Sequence, residues 1–515
     1  MAFSLIAEAQ SKVNQISIKN AETGIYQKKL GRNRLLGDVI FEHDGALMYC
    51  DSAWLFSKEN RIRAFQNVRI NQGDSIRLWG DYLDYSGNTR IAHVAGEEVR
   101  LEDNKMKLST TQLDFNRSTN LAYYNNFGTI TNEDNVLTSI KGYYNSKSKV
   151  FNFKDSVVLV NPDYVIESDT LTYSSASRIT YFLGPTTITS DSSFIYCENG
   201  RYNTITNIAQ FEKNAYIYNQ NKYLTGDSLY YEKATEFGEA FGAVLLHDTI
   251  EHYTIVGGYG QYTGATDSTF VTLDPIYSVK QESDTLHIHG DTLFSVKLHD
   301  SIHGSYRLLK IYRKVKFFKN DLQGKCDSLS YASHDSLVKM FYSPVIWNDS
   351  SQVTGDTIYL GMRNKKIDSL KVYTNAFILS LEDDDKKNQI KGRNMFGKFN
   401  DNKLRRVYVN GNGQTIYFPK DEEGSYIGMN KAECSNILIK LQKNKVEAIT
   451  FLTKPNATLY PVNQSKGEIG KLEGYLSRFS ERPQTKADIL TWEPVQVAEV
   501  KEDSEEDTEA LTEEP

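Results

Sequence analysis

One phrase returns down the chain at a nearly fixed interval, and this constrains the fold more than any other feature. It is a Gly-Asp or Ser-Asp pair, then Ser, Thr or Tyr, then Leu or Ile, often with an aromatic two places on. It reads Gly80-Asp81-Tyr82-Leu83-Asp84-Tyr85, Ser168-Asp169-Thr170-Leu171-Thr172-Tyr173, Gly226-Asp227-Ser228-Leu229-Tyr230-Tyr231, Gly290-Asp291-Thr292-Leu293, Cys326-Asp327-Ser328-Leu329 and Gly355-Asp356-Thr357-Ile358. Its aromatic falls at Tyr85, Phe115, Tyr144, Tyr173, Tyr202, Tyr231 and Tyr262, at intervals of 30, 29, 29, 29, 29 and 31 residues. A fixed period of this size marks a stacked array whose repeats bury apolar surface only against their neighbours. About 13 repeats run from residue 36 to residue 465, strictly to Tyr262 and loosely beyond.

A second phrase lies between the first ones. A Gly, Asn or Asp is followed by apolar residues at alternate positions: Val68 and Ile70, Val99 and Leu101, Ile130, Val157 and Leu159, Val244 and Leu246. Alternation at period two is the strand signal. Turn-formers separate the phrases, as in Ser86-Gly87-Asn88 and Asn161-Pro162-Asp163. Each repeat of about 29 residues therefore reads as two strands and two turns, an antiparallel zigzag. The Gly, Asn and Asp inside the strands favour left-handed backbone and predict a bend or bulge at mid-strand. Strands that all bend at the middle stack into two sheets meeting along a spine. The nine alternating residues, Val68, Ile70, Val99, Leu101, Ile130, Val157, Leu159, Val244 and Leu246, then face the interior, which is either an apolar trough or a filled core.

Composition narrows the function. The 59 Lys+Arg against 66 Asp+Glu give a net charge of −7, without the basic excess of a nucleic-acid binder. Residues 501–515 hold eight acidic groups and one Lys, so the tail alone carries that charge. It is expected to be disordered. No apolar run approaches the roughly 20 residues of a membrane-spanning helix. Residues 1–9 end in Ala7-Glu8-Ala9 and read as the remnant of a signal peptide, with a mature start near Gln10. Residues 466–480 place Leu472, Tyr475, Leu476 and Phe479 at helical spacing, predicting a short amphipathic helix in a C-terminal cap over 466–498.

These residues resemble the OstA-like family, in its long Bacteroidota type, to which the lipopolysaccharide-transport protein LptA and the N-terminal domain of LptD belong. The resemblance rests on the repeated Gly-Asp-Ser/Thr-Leu-x-Tyr phrase, on the alternating phrase of Asn67-Val68-Arg69-Ile70, and on the closing Leu472-Glu473-Gly474-Tyr475 and Glu481-Arg482-Pro483. It implies an all-β, elongated β-jellyroll (β-taco) solenoid, divided into strict repeats over 10–262 and looser ones over 263–465. It also implies a periplasmic protein associated with the outer membrane, which cradles acyl chains of lipopolysaccharide or lipid A. The implied partners are other lipopolysaccharide-transport proteins, joined by strand addition, and further copies of the chain end to end.

No single constellation argues for an enzyme. The Asp at 81, 169, 227, 291, 327 and 356 recurs in every repeat, as a bend-capping residue does and an active site does not. No cofactor is expected, and no ATP-binding loop, nucleophile elbow or zinc signature is present. His287 and His289 share a strand face and could form a metal pair, but no third ligand has a suitable spacing, and they read as solvent-exposed. Cys50, Cys197 and Cys326 sit at one repeat position, too far apart for disulfides; Cys434 has no assigned place. The first rung, Leu35 to Glu42, is the expected docking edge. Two other classes stay open: a structural or adhesive rod with a dry interior, and a polysaccharide-processing solenoid, which would need one clustered carboxylate pair.

Overall fold

The computed structural model describes residues 14–492 except 74–75, 104–105, 133, 192, 220, 251, 282–283, 364–365, 384, 401–402 and 443–444. The expected signal remnant and acidic tail lie outside the described residues. The chain divides into two units, 1–273 and 274–515. Among the described residues both are built from antiparallel strands and short 3-10 turns.

In the N-terminal unit long strands follow one another as hairpins: Arg32–His43, Ala46–Phe56, Arg61–Gln72, Ile76–Ser86, Ile91–Asp103 and Met106–Asn116, and again from Val150–Asn161 to Tyr253–Thr263, while the two strands between are split at the bend into Leu121–Tyr124, Gly128–Asn132, Asn135–Ser139 and Lys141–Asn145. Each pairs with its neighbours in sequence, and the register breaks near mid-strand. Between Phe65 and Arg69 the chain takes four steps where the partner strand takes three, from Ser52 to Tyr49. This is a bulge, and its residues Gln66 and Asn67 both have positive φ. Asp155 with Ser156, Lys213 with Asn214, and Gly242 with Ala243 repeat it. The recurring Asp holds the bulge on the next strand. Asp81 accepts from Glu97 N at 3.0 Å, and Asp51 from the Asn67 amide at 2.7 Å.

The hairpin turns explain the 29-residue period. Each has one left-handed residue, at Asn60, Arg90, Asn120, Lys149, Arg178, Asn207 and Glu236. Its carbonyl accepts from the turn of the next repeat, as in Arg117 N to Arg90 O at 3.0 Å and Thr204 N to Arg178 O at 2.9 Å. Asn116, Asn145 and Asn203 cap the same turns by accepting two backbone N–H groups each. An insertion would break both ladders at once.

The first part of the C-terminal unit has shorter strands, such as Val315–Lys319, Leu322–Cys326, Val345–Asn348 and Ser351–Thr354, whereas Lys366–Leu381, Lys387–Asn400, Lys403–Tyr417 and Met429–Gln442 run through at 14 to 16 residues. Here both faces of one sheet are buried. Val315, Phe317 and Cys326 lie on the inner side, while Lys316, Gln323, Lys325 and Trp347 are buried on the other. The residues 467–492 cover that second side.

This segment overturns the expected helix over 466–480. It runs extended, broken by 3-10 turns at Gly467–Gly470, Phe479–Glu481 and Ala487–Leu490, because Gly470 and Gly474 and the following Pro483 disfavour a helix and its backbone is bonded elsewhere. Gln389 accepts from Leu472 N and donates to Gly470 O, at 2.8 and 2.7 Å. Gln352 does the same for Arg478 N and Leu476 O, at 2.7 and 2.8 Å. Two glutamines thus present the segment with a substitute strand edge, and Gln323 accepts from Arg482 Nε one repeat further on. Leu472 joins Phe377, Leu379, Ile416, Phe418 and Met429 in a buried cluster.

Two further expectations change. His287 and His289 are not solvent-exposed: His289 is 5% exposed and lies 2.9 Å from Pro275 O, while half-buried His287 contacts Ser278. The free docking edge is not Leu35 to Glu42 either, because Ser17–Asn20 and Thr23–Gln27 pair with that strand. Among the described residues these two short strands lie at the edge of the sheet instead, with Ile18, Ile25 and Tyr26 exposed.

Candidate functional site

The interior of the N-terminal unit is the candidate site, and register builds it in rows. Val68, Val99, Val157 and Val244 stand beside the bulges, opposite Gly80, Thr110, Ser168 and Gly257, and are 4% exposed or less. They form the spine. Two residues further along each strand lies a second row, continuous through successive register partners from Phe41 to Ile255, in which every position is Leu, Ile, Met or Phe. Ile70, Leu101, Ile130, Leu159 and Leu246 belong to it. All nine sequence-predicted residues therefore face the interior, at two depths.

The opposite sheet contributes the aromatic of the first phrase. Tyr85, Phe115, Tyr144, Tyr173, Tyr202, Tyr231 and Tyr262 lie in one register-linked row. Small residues separate most of them, including Ala92, Ala122, Thr180, Ala209 and Gly238. Leu83, Leu113, Phe153, Leu171, Phe182 and Leu229 fill the depth behind the rings, all 3% exposed or less.

Polar groups cross between the two sheets at one end, and sequence reasoning missed them. The Tyr85 hydroxyl lies 2.7 Å from His43 Nδ1 and accepts from Arg117 at 2.9 Å. Arg117 also donates to His43 O, Asp44 O and Gln72 Oε1. The Tyr144 hydroxyl donates to buried Asp103, which accepts from Lys149 Nζ at 2.6 Å. Burial and the Asp103 carboxylate both push the Tyr144 phenol above its ordinary range. One signal existed: Asp103 is an acidic residue two places beyond Leu101, at an inward-facing position of the same alternation.

Among the described residues no group of three His, Cys, Asp or Glu could hold a metal ion. The four cysteines are buried free thiols. Burial pushes Cys50 and Cys197 up to about 12. Cys434 repeats the setting of Cys326: each thiol lies near the carbonyl two residues on, at 3.0 and 3.3 Å.

Residues 11–169 match the model of the family described as OstA-like protein. This region of the chain is OstA-like. The OstA-like region includes the spine and row positions from Val68 to Leu159 and all of the polar crossings. Among solved structures, the chain is similar to LptH of Pseudomonas aeruginosa, described as the LptA homologous periplasmic component of the conserved lipopolysaccharide transport device. The identity is 14% and the TM-score 0.22, over 28% of this chain and 99% of that one. No curated protein matches.

Proposed function

We propose that this chain is a non-enzymatic periplasmic protein of lipopolysaccharide transport, which shelters acyl chains between its two sheets and carries them toward the outer membrane. The observation that supports this most directly is the unbroken apolar row from Phe41 to Ile255, facing a row of rings and small residues. A globular core needs no such continuity. A linear amphiphile does, because each methylene moved out of water contributes about 0.8 kcal/mol, and a chain of ten roughly 8 kcal/mol. The OstA-like match over residues 11–169 agrees with this reading. Val68, Ile70, Val99, Leu101, Ile130, Val157, Leu159, Val244 and Leu246 belong to the inward-facing apolar rows from which the acyl-chain site is drawn, and sugars and phosphates stay in water at the rim. Partners of the same pathway would join at the exposed edge formed by Ser17–Asn20 and Thr23–Gln27.

A structural rod without lipid is the second reading, favoured by the complete burial of the row at Ile70, Leu78 and Leu101. Mass spectrometry of organic extracts separates the two. Protein purified from a Gram-negative envelope should carry stoichiometric lipid A-type glycolipid. A folded, lipid-free protein would refute transport and leave the rod.

A further inference from the structure

The two rows are not equally closed along the chain. On the aromatic side Tyr85 is 0% exposed, Phe115 1% and Tyr144 5%, whereas Tyr173 and Tyr202 are half-buried and Tyr231 and Tyr262 reach 38% and 40%. The aliphatic side loosens over the same stretch, although Ile166 at 5% and Ile255 at 6% stay buried within it. Ile70, Leu101 and Leu108 are at most 2% exposed, while Leu159, Ile188, Ile217 and Leu224 are half-buried.

The hydroxyls of Tyr85, Tyr144, Tyr173 and Tyr202 change partner at the same place. Tyr85 and Tyr144 reach across to the other sheet, to His43 and Asp103. Tyr202 instead donates to Asn207 in its own hairpin at 2.6 Å, and Tyr173 accepts from Arg178 in its own hairpin at 3.4 Å. A tyrosine bonded within its own sheet does not tie the two sheets together. At the boundary Tyr144 stacks on Phe151 with centroids 4.2 Å apart, and Phe151 lies 6.0 Å from Phe153.

We infer that the acyl-chain site of the N-terminal unit is confined to the stretch between Leu159 and Tyr262, that Tyr144, Phe151 and Phe153 close it as a bulkhead, and that the crossings at His43–Tyr85–Arg117 and Asp103–Tyr144–Lys149 exclude lipid from the rest. This rests on the lipid reading above. The occupant is a linear acyl chain. Successive rings stand two strands apart, roughly 10 Å, with Thr180, Ala209 and Gly238 between them. Such gaps admit a polymethylene chain and leave a bulky sugar headgroup outside.

The test places a photo-crosslinking benzoyl-phenylalanine at Tyr85, Tyr144, Tyr173, Tyr202 or Tyr231 of the full chain. Each variant is checked by circular dichroism, mixed with bis-phosphorylated lipid A glycolipid and irradiated. Crosslinking at positions 173, 202 and 231 should exceed that at 85 and 144 at least tenfold. Because position 85 is fully buried and its variant is at risk of misfolding, hydrogen exchange on the unaltered protein is the second measurement. Glycolipid should protect strands within 164–263 and leave those within 46–124 unchanged. Equal crosslinking at all five positions, or protection confined to 46–124, would overturn the confinement. Retained glycolipid without crosslinks at 173, 202 and 231 sinks the siting alone, whereas no retained glycolipid on the wild type sinks the lipid reading with it.

Discussion

Glu481→Gln tests how the C-terminal segment is held. The Glu481 carboxylate is 7% exposed and accepts from Lys325 Nζ at 2.6 Å and from Arg478 at 2.8 and 2.9 Å. Lys325 is itself 1% exposed and lies 4.4 Å from the Trp492 ring. The substitution keeps the shape and removes the charge, so two buried cations lose their shared carboxylate. Removing one partner of a buried ion pair costs about 3–5 kcal/mol. With a urea slope of about 2 kcal/mol/M, the unfolding midpoint should fall by about 2 M. Trp347 and Trp492 report the C-terminal unit once Trp54 and Trp79 are replaced by Phe. A second arm uses pH. Burial pushes the Glu481 carboxyl up, but the hydrogen bonds from Arg478 and Lys325 outweigh it and hold the group below its ordinary 4.5. A depressed carboxyl stabilises the fold above the unfolded value and loses that contribution as pH falls through the folded one. The wild type should therefore lose stability below about pH 4.5, and the variant should lack this part of the decline. A midpoint change under about 0.5 M, or an unaltered acid profile, would refute the reasoning. Replacing the whole triad by Lys325→Met, Arg478→Met and Glu481→Leu should recover most of the loss, because apolar substitutes need no desolvated charge.

Three further outcomes follow from the N-terminal unit and the thiols. Lys149→Met leaves the Asp103 carboxylate buried with the Tyr144 hydroxyl and should cost about 1–3 kcal/mol in urea unfolding; no change would mean the crossing is not closed in solution. Gly242→Ala puts a Cβ at φ +63°, 2.1 Å from the Asp227 carboxylate, and should lower stability by about 1–3 kcal/mol, whereas Gly238→Ala, whose new Cβ meets nothing nearer than 3.5 Å, should change far less. All four cysteines are buried, and the thiols of Cys50 and Cys197 titrate near 12, so a thiol reagent at pH 8 should label none in native protein and all four in denaturant; rapid native labelling would contradict the burial.

Much of the architecture was legible in the chain. The 29-residue spacing of Tyr85 to Tyr262 is the spacing at which one turn's carbonyl meets the next turn's N–H, so the period could be read without coordinates. The bulges were legible because Asn67, Asp155 and Gly242, inside otherwise alternating strands, are residue types that tolerate bulged or left-handed backbone. Leu472, Tyr475, Leu476 and Phe479 misled for a definite reason. Their spacing fits a helix, but Leu472 alone enters the core deeply, and the backbone between them is claimed by Gln352 and Gln389. Those glutamines gave no local signal, since their partners lie 124 and 81 residues away.

Local rules thus determined the repeat, the mid-strand bends and the inward parity of Val68 through Leu246, because period-two alternation and left-handed backbone preferences act within a few residues. Only the tertiary structure decided how the interior is closed. Whether a tyrosine hydroxyl crosses to the facing sheet, as Tyr144 does to Asp103, or stays in its own hairpin, as Tyr202 does with Asn207, depends on groups from 5 to 42 residues away that share no sequence pattern. A tyrosine stands at the repeat's aromatic position, two residues after a glycine, at both places. What differs is the polar partner that folding brings to the opposite rim.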